Sequence, residues 1–274
     1  MKQKFKKVIK SLIPPLIQTG VKNLFSKSSG SFSGPYKTWA QAQAHSSGYQ
    51  DVAILEKIKQ STLTVQSNSS YAIRDGILFC EPQYSFPVLA ALLKITLTNN
   101  NSLSVLDFGG ALGSSYYSFK QFYTDKLDLK WSIIEQQAYV ECGNQLFKNN
   151  ELHFYSDISK VPQHVDVIFL SATLQYLDKP YEWLNIFLNH NAPYLLLDRV
   201  LFSDESNQDH ILVEHVAKEI YASSYPFWLF HYQSFKQLLL QKYDILCEFD
   251  ALEGKYQQNG FDITSKGFFL RRKQ

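Results

Sequence analysis

The chain is poor in sulfur. Its 274 residues contain three cysteines, Cys80, Cys142 and Cys247, and a single methionine. The cysteines are odd in number and far apart, with no CxxC or Cys/His ligand spacing. This argues against a disulfide framework or a zinc site, no metal is expected, and a reducing, cytoplasmic setting fits best. No run approaches the ~20 apolar residues needed to cross a bilayer. Acid is also missing from the first fifty residues, which hold eight lysines and no arginine before the first carboxylate, Asp51. The remaining residues carry 19 of the 27 basic side chains against all 25 acids, so a basic arm precedes a mildly acidic body. A net charge of +2 gives no general argument for nucleic-acid binding. What the chain has in quantity is aromatic surface, 17 Tyr and 20 Phe. Such side chains fill cores first and line pockets second.

In the arm, Lys2, Lys4, Lys6, Lys7 and Lys10 interleave with Phe5, Val8, Ile9, Leu12 and Ile13 at helical spacing, until Pro14-Pro15 stops the helix. The prolines and the lack of a small-residue cleavage site make it a poor signal peptide. Two readings stay open for residues 1–25: a basic amphipathic helix in peripheral contact with the inner membrane face, or a terminal helix packed on the body. Residues 26–34 read as a Ser/Gly-rich linker, which assigns 1–34 to arm and linker. Residues 35–100 read as a helical cap with Asp51 as an N-cap, 71–79 being either a short helix or irregular. Tyr36, Trp39, Arg74 and Asp75 there face either a substrate or the protein's own packing.

Residues 101–274 alternate strand and helix. Strands are predicted over 103–108, 131–136, 152–158, 165–172 and 194–200. Helices are predicted over 114–123, 138–148, 181–189, 208–222 and 233–241. A terminal pair of strands, 243–251 and 267–273, is joined by a polar loop. This alternation predicts a mostly parallel sheet covered on both faces, closed by an antiparallel strand near one edge.

The stretch SVLDFGGALGSSYY (104–117) ends the first of these strands in Asp107 and opens the next helix after Gly109, Gly110 and Gly113. Ligands of open α/β sheets sit outside the carboxyl ends of the strands. The strand-end acids Asp107, Glu135 and Asp157 are therefore informative, and Glu135, 22 residues after Gly113, is placed to accept hydrogen bonds from ribose hydroxyls. NAD would call for G-x-G-x-x-G and a pyrophosphate at the helix N-terminus. Here the spacing is G-G-x-x-G behind an aspartate that repels a pyrophosphate. An anion at that mouth suits S-adenosylmethionine (SAM), which carries an ammonium and a sulfonium.

The segments SVLDFGGALGSSYY, WSIIEQ, DVIFLSATLQYLDKPYEWL, YLLLDRV and IYASSYPFWLF, with GPYKTWAQAQAHSSGY and YAIRDGILF ahead of them, resemble the SAM-dependent methyltransferases encoded in bacterial surface-polysaccharide (O-antigen or capsule) gene clusters. The resemblance covers roughly residues 35–271. It implies the Rossmann-like class I methyltransferase fold, α/β with a seven-stranded sheet whose last strand is antiparallel. It also implies O-methylation of a sugar in a surface glycan or its lipid-linked precursor. One stretch, SDESNQDHILVEHVAKEIY, departs from the Thr/Gln-rich strand that the family leads one to expect.

Methyl transfer needs alignment, exclusion of water and, for an alcohol, a base. Ser171 at the end of the fourth strand joins the cofactor set. Tyr176, Asp198 and Arg199 form the catalytic set, with Asp198 as base or acceptor-positioning carboxylate and Arg199 as binder of a uronate or phosphate. A structural Asp198–Arg199 pair is the competing reading. His210, His215 and His231 are alternative bases, and Tyr225, Phe227 and Trp228 either stack on a sugar or pack the core. Two other functions stay in play: an NAD(P)-dependent sugar oxidoreductase, and a non-catalytic methyltransferase-like scaffold in glycan assembly.

Overall fold

A computed structural model describes residues 31–47, 52–68, 71–79, 84–123, 126–205, 207–216 and 223–274. The basic arm with its membrane reading, Asp51 and Cys80 lie outside the described residues. In chain order the elements are β1 (Ser31–Tyr36), α1 (Trp39–Ala44), α2 (Val52–Ser67), β2 (Ala72–Arg74), β3 (Ile77–Phe79), α3 (Phe86–Thr98), β4 (Ser102–Phe108), α4 (Ser114–Lys120), β5 (Asp128–Ile134) and α5 (Gln137–Leu146). There follow β6 (Leu152–Tyr155), β7 (Val167–Ser171), α6 (Pro180–Asn189), β8 (Tyr194–Ser203), β9 (His210–His215), β10 (Ser224–His231), α7 (Tyr232–Leu239), β11 (Tyr243–Gln258) and β12 (Phe261–Arg272).

The strand–helix alternation of residues 101–274 produces a doubly wound core in the order β6-β5-β4-β7-β8-β12-β11. Strands β4 to β8 run parallel, and β12 lies antiparallel between β8 and β11. Alternate residues of each strand supply one of two cores. Val105, Trp131, Phe169 and Leu196 pack under α2, α3, α4 and α5. Leu106, Ile168, Leu195 and Leu197 pack under α6 and α7. Burial of both faces explains why these strands read as nearly continuous apolar runs.

Three observations correct the sequence expectations. Among the described residues the sheet has ten strands, not seven, because β8 runs on past β7, pairs in parallel with the end of β10, and so carries β10 and, in antiparallel succession, β9 and β1. Residues 208–222 were expected to be helical, yet β9 occupies His210–His215. A short apolar run such as Ile211-Leu212-Val213 fits either state, and backbone partners on both sides, β1 and β10, decide for strand. Those β1 partners are Ser31–Tyr36, so part of the expected linker is strand. Third, residues 71–79 form the β2–β3 hairpin, so the cap is not purely helical.

The terminal pair is also longer than expected. Most of its polar loop is strand, turning on Asn259 (φ 52°) and Gly260 (φ 80°). Two left-handed residues in succession are what a two-residue hairpin with right-twisted strands requires.

Candidate functional site

The strand order reverses between β4 and β7, so the loops after them diverge and leave a crevice at the carboxyl ends of the strands. Two cavities open there, of about 160 Å³ and 940 Å³, and Asp75, Gly109, Ala172 and Arg199 line both.

The smaller cavity holds the Gly-rich turn. Gly109 has φ 75°, and a Cβ on it would run into Thr173, while one on Gly110 would run into the Asp107 carboxylate. The turn can therefore close over Asp107 only without side chains there. Asp107 is 1% exposed and its Oδ2 accepts a hydrogen bond from Trp131 Nε1 at 2.9 Å. Burial pushes its carboxyl up to about 7 despite that bond. Across the cavity Asp198 is 3% exposed. Its Oδ2 accepts from Ser171 Oγ at 2.9 Å, while Oδ1 is buried with no hydrogen-bond partner. Burial raises this carboxyl to about 6.

The larger cavity extends from Glu135, Gln136 and Ser156 to the β9–β10 extension. Glu135 accepts from the backbone amides of Ala111 (3.2 Å) and Gln136 (2.8 Å), which ties the end of β5 to the Gly-rich turn. Burial raises its carboxyl, and those two amides lower it in part. At the other end Tyr176 donates to Glu214 Oε2 at 2.9 Å. Burial pushes Glu214 up to about 7 and, together with the neighbouring carboxylate, raises Tyr176 well above the ordinary phenol range.

Arg199 separates the two ends. Its Nη1 and Nη2 donate to the Asp75 oxygens at 3.0 and 2.6 Å, and its Nε donates to Glu253 Oε1 at 2.6 Å. Burial would raise both carboxyls, but the guanidinium more than reverses this and holds each below its ordinary value.

The sequence-predicted residues are thus sorted into groups. Asp107, Gly109, Gly110, Ser171 and Asp198 line the smaller cavity, while Gly109, Glu135 and Tyr176 line the larger. Asp198 and Tyr176, grouped as catalytic from sequence, face different cavities. Asp157 lines neither: it is exposed and caps a single 3-10 turn, accepting from Ser159 N at 2.8 Å, while its neighbour Ser156 takes the lining position. Gly113 also lines neither and packs α4 close to Leu152. Arg199, expected from sequence to bind an anion, has its guanidinium engaged by two carboxylates of the protein itself. Its partners are Asp75 and Glu253, so the Asp198–Arg199 pair of the competing reading is not formed either.

Among the aromatics, Tyr225 lines the larger cavity, Phe227 is core, and Trp228 stacks on Trp39 and donates to Leu177 O. None of His210, His215 and His231 lines either cavity. Sequence reasoning missed Glu214, Glu253 and Tyr256. Glu214 was hidden by the helix expected over 208–222, and the other two by the expected loop. The Asn-Gly pair at 259–260 is a hairpin signal that would have placed Glu253 and Tyr256 on a strand.

The fold and site define an open, doubly wound α/β protein with an acid-lined crevice at its topological switch point. No protein-family model matches the sequence, and no curated protein does. Among solved structures, similar ones include the N-terminal domain of EvdMO1 with S-adenosylhomocysteine (SAH) and D-fucose, at 10% identity over 80% of this chain and 97% of that one, TM-score 0.48. Two others are SAM-bound CalS10, an amino pentose methyltransferase from Micromonospora echinaspora (11% identity, 70% and 92% covered, TM-score 0.44), and SAM-bound magnesium protoporphyrin IX methyltransferase from Synechocystis PCC 6803 (11%, 81% and 96%, TM-score 0.43). Likenesses at this level leave the chemistry to be argued from this chain's own residues.

Proposed function

We propose that this protein is a SAM-dependent methyltransferase acting on a sugar-containing small molecule. The observation that carries the reading is the pairing, across one small cavity, of buried Asp107 with the orphaned Oδ1 of Asp198. Among the described residues neither carboxylate is in an ion pair, Arg199 being engaged by Asp75 and Glu253, and both stand beside a turn whose glycines admit no side chain. A ligand ammonium donates to that pair of acceptors, and Glu135 at the next strand end offers the remaining carboxylate lone pairs to ribose hydroxyls. Bound there, SAM would supply an electrophilic methyl group on a sulfonium.

The protein's own part is to hold the ammonium with Asp107 and Asp198, fix the ribose with Glu135, and exclude water with the wall made by β2–β3 and the β9–β10 extension. NAD(P) is a poorer fit. Its pyrophosphate would meet the buried Asp107 and Asp198 carboxylates in a cavity where Arg199 is already engaged by two carboxylates, which leaves Arg74 as the other lining cation.

Calorimetric titration tests this directly: SAM and SAH should bind with 1:1 stoichiometry and NADH should not. Binding of NADH alone would reverse the assignment. Asp198 is reassigned here from base to cofactor ligand. Asp198→Ala should accordingly weaken SAM binding roughly tenfold or more, the scale of one charge-assisted hydrogen bond. A variant that binds SAM normally but transfers methyl slowly would restore Asp198 as the base.

The surface-polysaccharide setting, a hydroxyl as methylated group, and action at the inner membrane face follow from the resemblance and from the reading of the basic arm. Mass spectrometry of surface glycans with and without the protein tests that setting.

A further inference from the structure

The larger cavity has an unusual charge balance. Asp75, Glu135, Asp178, Glu214 and Glu253 line it, against Arg199 alone, and no lysine or histidine among the described residues does. Asp75 and Glu253 share the Arg199 guanidinium, so this cation is spent within the wall. Glu135 is held by two backbone amides at the Gly-rich turn. Among the described residues, the Glu214 carboxylate accepts from the phenol of Tyr176 and forms no ion pair.

A separate observation points the same way. Gln175 is 1% exposed and lines this cavity, and its Nε2 donates to Arg199 O at 2.9 Å. Its Oε1 is buried with no hydrogen-bond partner. A buried acceptor left unmatched costs about 1–3 kcal/mol unless something supplies a donor. Two side chains on neighbouring walls, Glu214 and Gln175, therefore both lack N–H partners. The rings of Trp39 and Tyr225 also line the space and offer faces that attract an ammonium. Among the described residues no group of three or more His, Cys, Asp or Glu side chains is arranged to hold a metal ion.

We infer that the acceptor is an amine-bearing small molecule, an amino sugar rather than a neutral or acidic one, whose ammonium is received by Glu214 and Gln175 Oε1. The inference rests on the methyltransferase reading and changes the acceptor atom it implies from oxygen to nitrogen. The chemistry for which Glu214 is placed is a proton transfer. The ammonium gives one proton to the Glu214 carboxylate, which becomes a carboxylic acid, and the nitrogen keeps the lone pair that methyl transfer consumes. Burial suits Glu214 to this task, because a carboxylate pushed up to about 7 is a far better proton acceptor than an exposed one.

The test uses the full chain with SAH present and three probes: methyl β-D-glucosaminide, methyl β-D-glucoside and D-glucuronic acid, followed by saturation-transfer NMR and calorimetry. The glucosaminide should bind at least ~10-fold more tightly than either other probe, the scale of one charge-assisted contact. Glu214→Gln should erase that preference while leaving SAH affinity unchanged. Asp75→Asn serves as a second variant, because asparagine tolerates the left-handed φ of 53° at that turn. It removes a negative charge from the wall and leaves one guanidinium N–H without its acceptor, so the glucosaminide should lose affinity and the glucuronate gain it.

Equal or tighter binding of glucoside or glucuronate, no binding of any probe, or an unchanged preference in both folded variants overturns the inference. Absence of SAH binding overturns the methyltransferase reading instead. SAH binding without an amine preference overturns the acceptor assignment alone.

Discussion

Asp107→Asn should weaken SAM binding by about two orders of magnitude and yet make the ligand-free protein more stable at alkaline pH. The two effects share one cause. The substituted amide keeps an oxygen to accept from Trp131 Nε1, so the hydrogen bond that orients the side chain survives. What is lost is the charge that an ammonium would meet in a water-excluded cavity, worth on the order of 100-fold in affinity. The same charge is a burden without ligand. An unfolded aspartate gives up its proton near 3.8, whereas burial holds that of Asp107 to about 7. Between those values the folded protein keeps a proton that the unfolded chain has released. The stability so contributed is complete below the unfolded value and disappears as pH rises through about 7, a swing on the order of 4 kcal/mol for this one group.

Glu214, raised to about 7, and Asp198, raised to about 6, act with the same sign. His190, lowered by burial and by Arg272, acts with the opposite sign on the acid side. Thermal melts of the ligand-free protein should therefore fall between about pH 4 and about pH 7 and level off above that, and fall by less in Asp107→Asn. SAM should flatten the wild-type profile by pairing the carboxylate with a cation. A pH-independent difference between the two proteins would show that Asp107 is not the titrating group.

How much of this was legible in the sequence depends on the range of the interactions. Asp107, Gly109, Gly110 and Glu135 are fixed by local pattern: an apolar run, an acid at its end, a turn that excludes side chains. Sheet topology then brings the ends of β4 and β5 together without further information. Asp157 shows the limit of that logic, since the same pattern placed an acid one residue past the lining position, where it caps a turn instead.

The acceptor end could not be read in this way. Glu214 belongs to a strand that exists because β1 and β10 flank it, and β1 lies almost two hundred residues earlier in the chain. Arg199 was visible as a functional arginine, but its partners were not. Asp75 is 124 residues away and Glu253 54, each delivered by a hairpin. A charge whose partners arrive over such separations reads, in sequence, as a charge free to bind a ligand.

The opposite fate of Arg199 in the structure leads to the second large effect. Arg199→Met should destabilise the protein by about 3 kcal/mol, the low end for breaking a buried pair from one side, because Asp75 is half exposed. The arginine occupies a left-handed backbone position (φ 59°) that a side chain adopts at some cost, so its contacts have to outweigh local strain. Those contacts tie three elements together: β8 through its backbone, the β2–β3 turn through Asp75, and β11 through Glu253. Lysine at this position should not rescue, since a single ammonium cannot serve two carboxylates along a planar fork.

The loss should also be local before it is global. Hydrogen exchange in 72–79 should accelerate under native conditions, because the hairpin loses its anchor to the sheet while its packing through Ala72 and Ile73 remains. Adding Glu253→Gln to Arg199→Met should recover part of the stability by removing the more buried of the two stranded charges. Protection unchanged across the hairpin would mean that the arginine is dispensable to the wall. If the hairpin is released, the same ion pair that removes Arg199 from ligand binding is what keeps the crevice closed on that side.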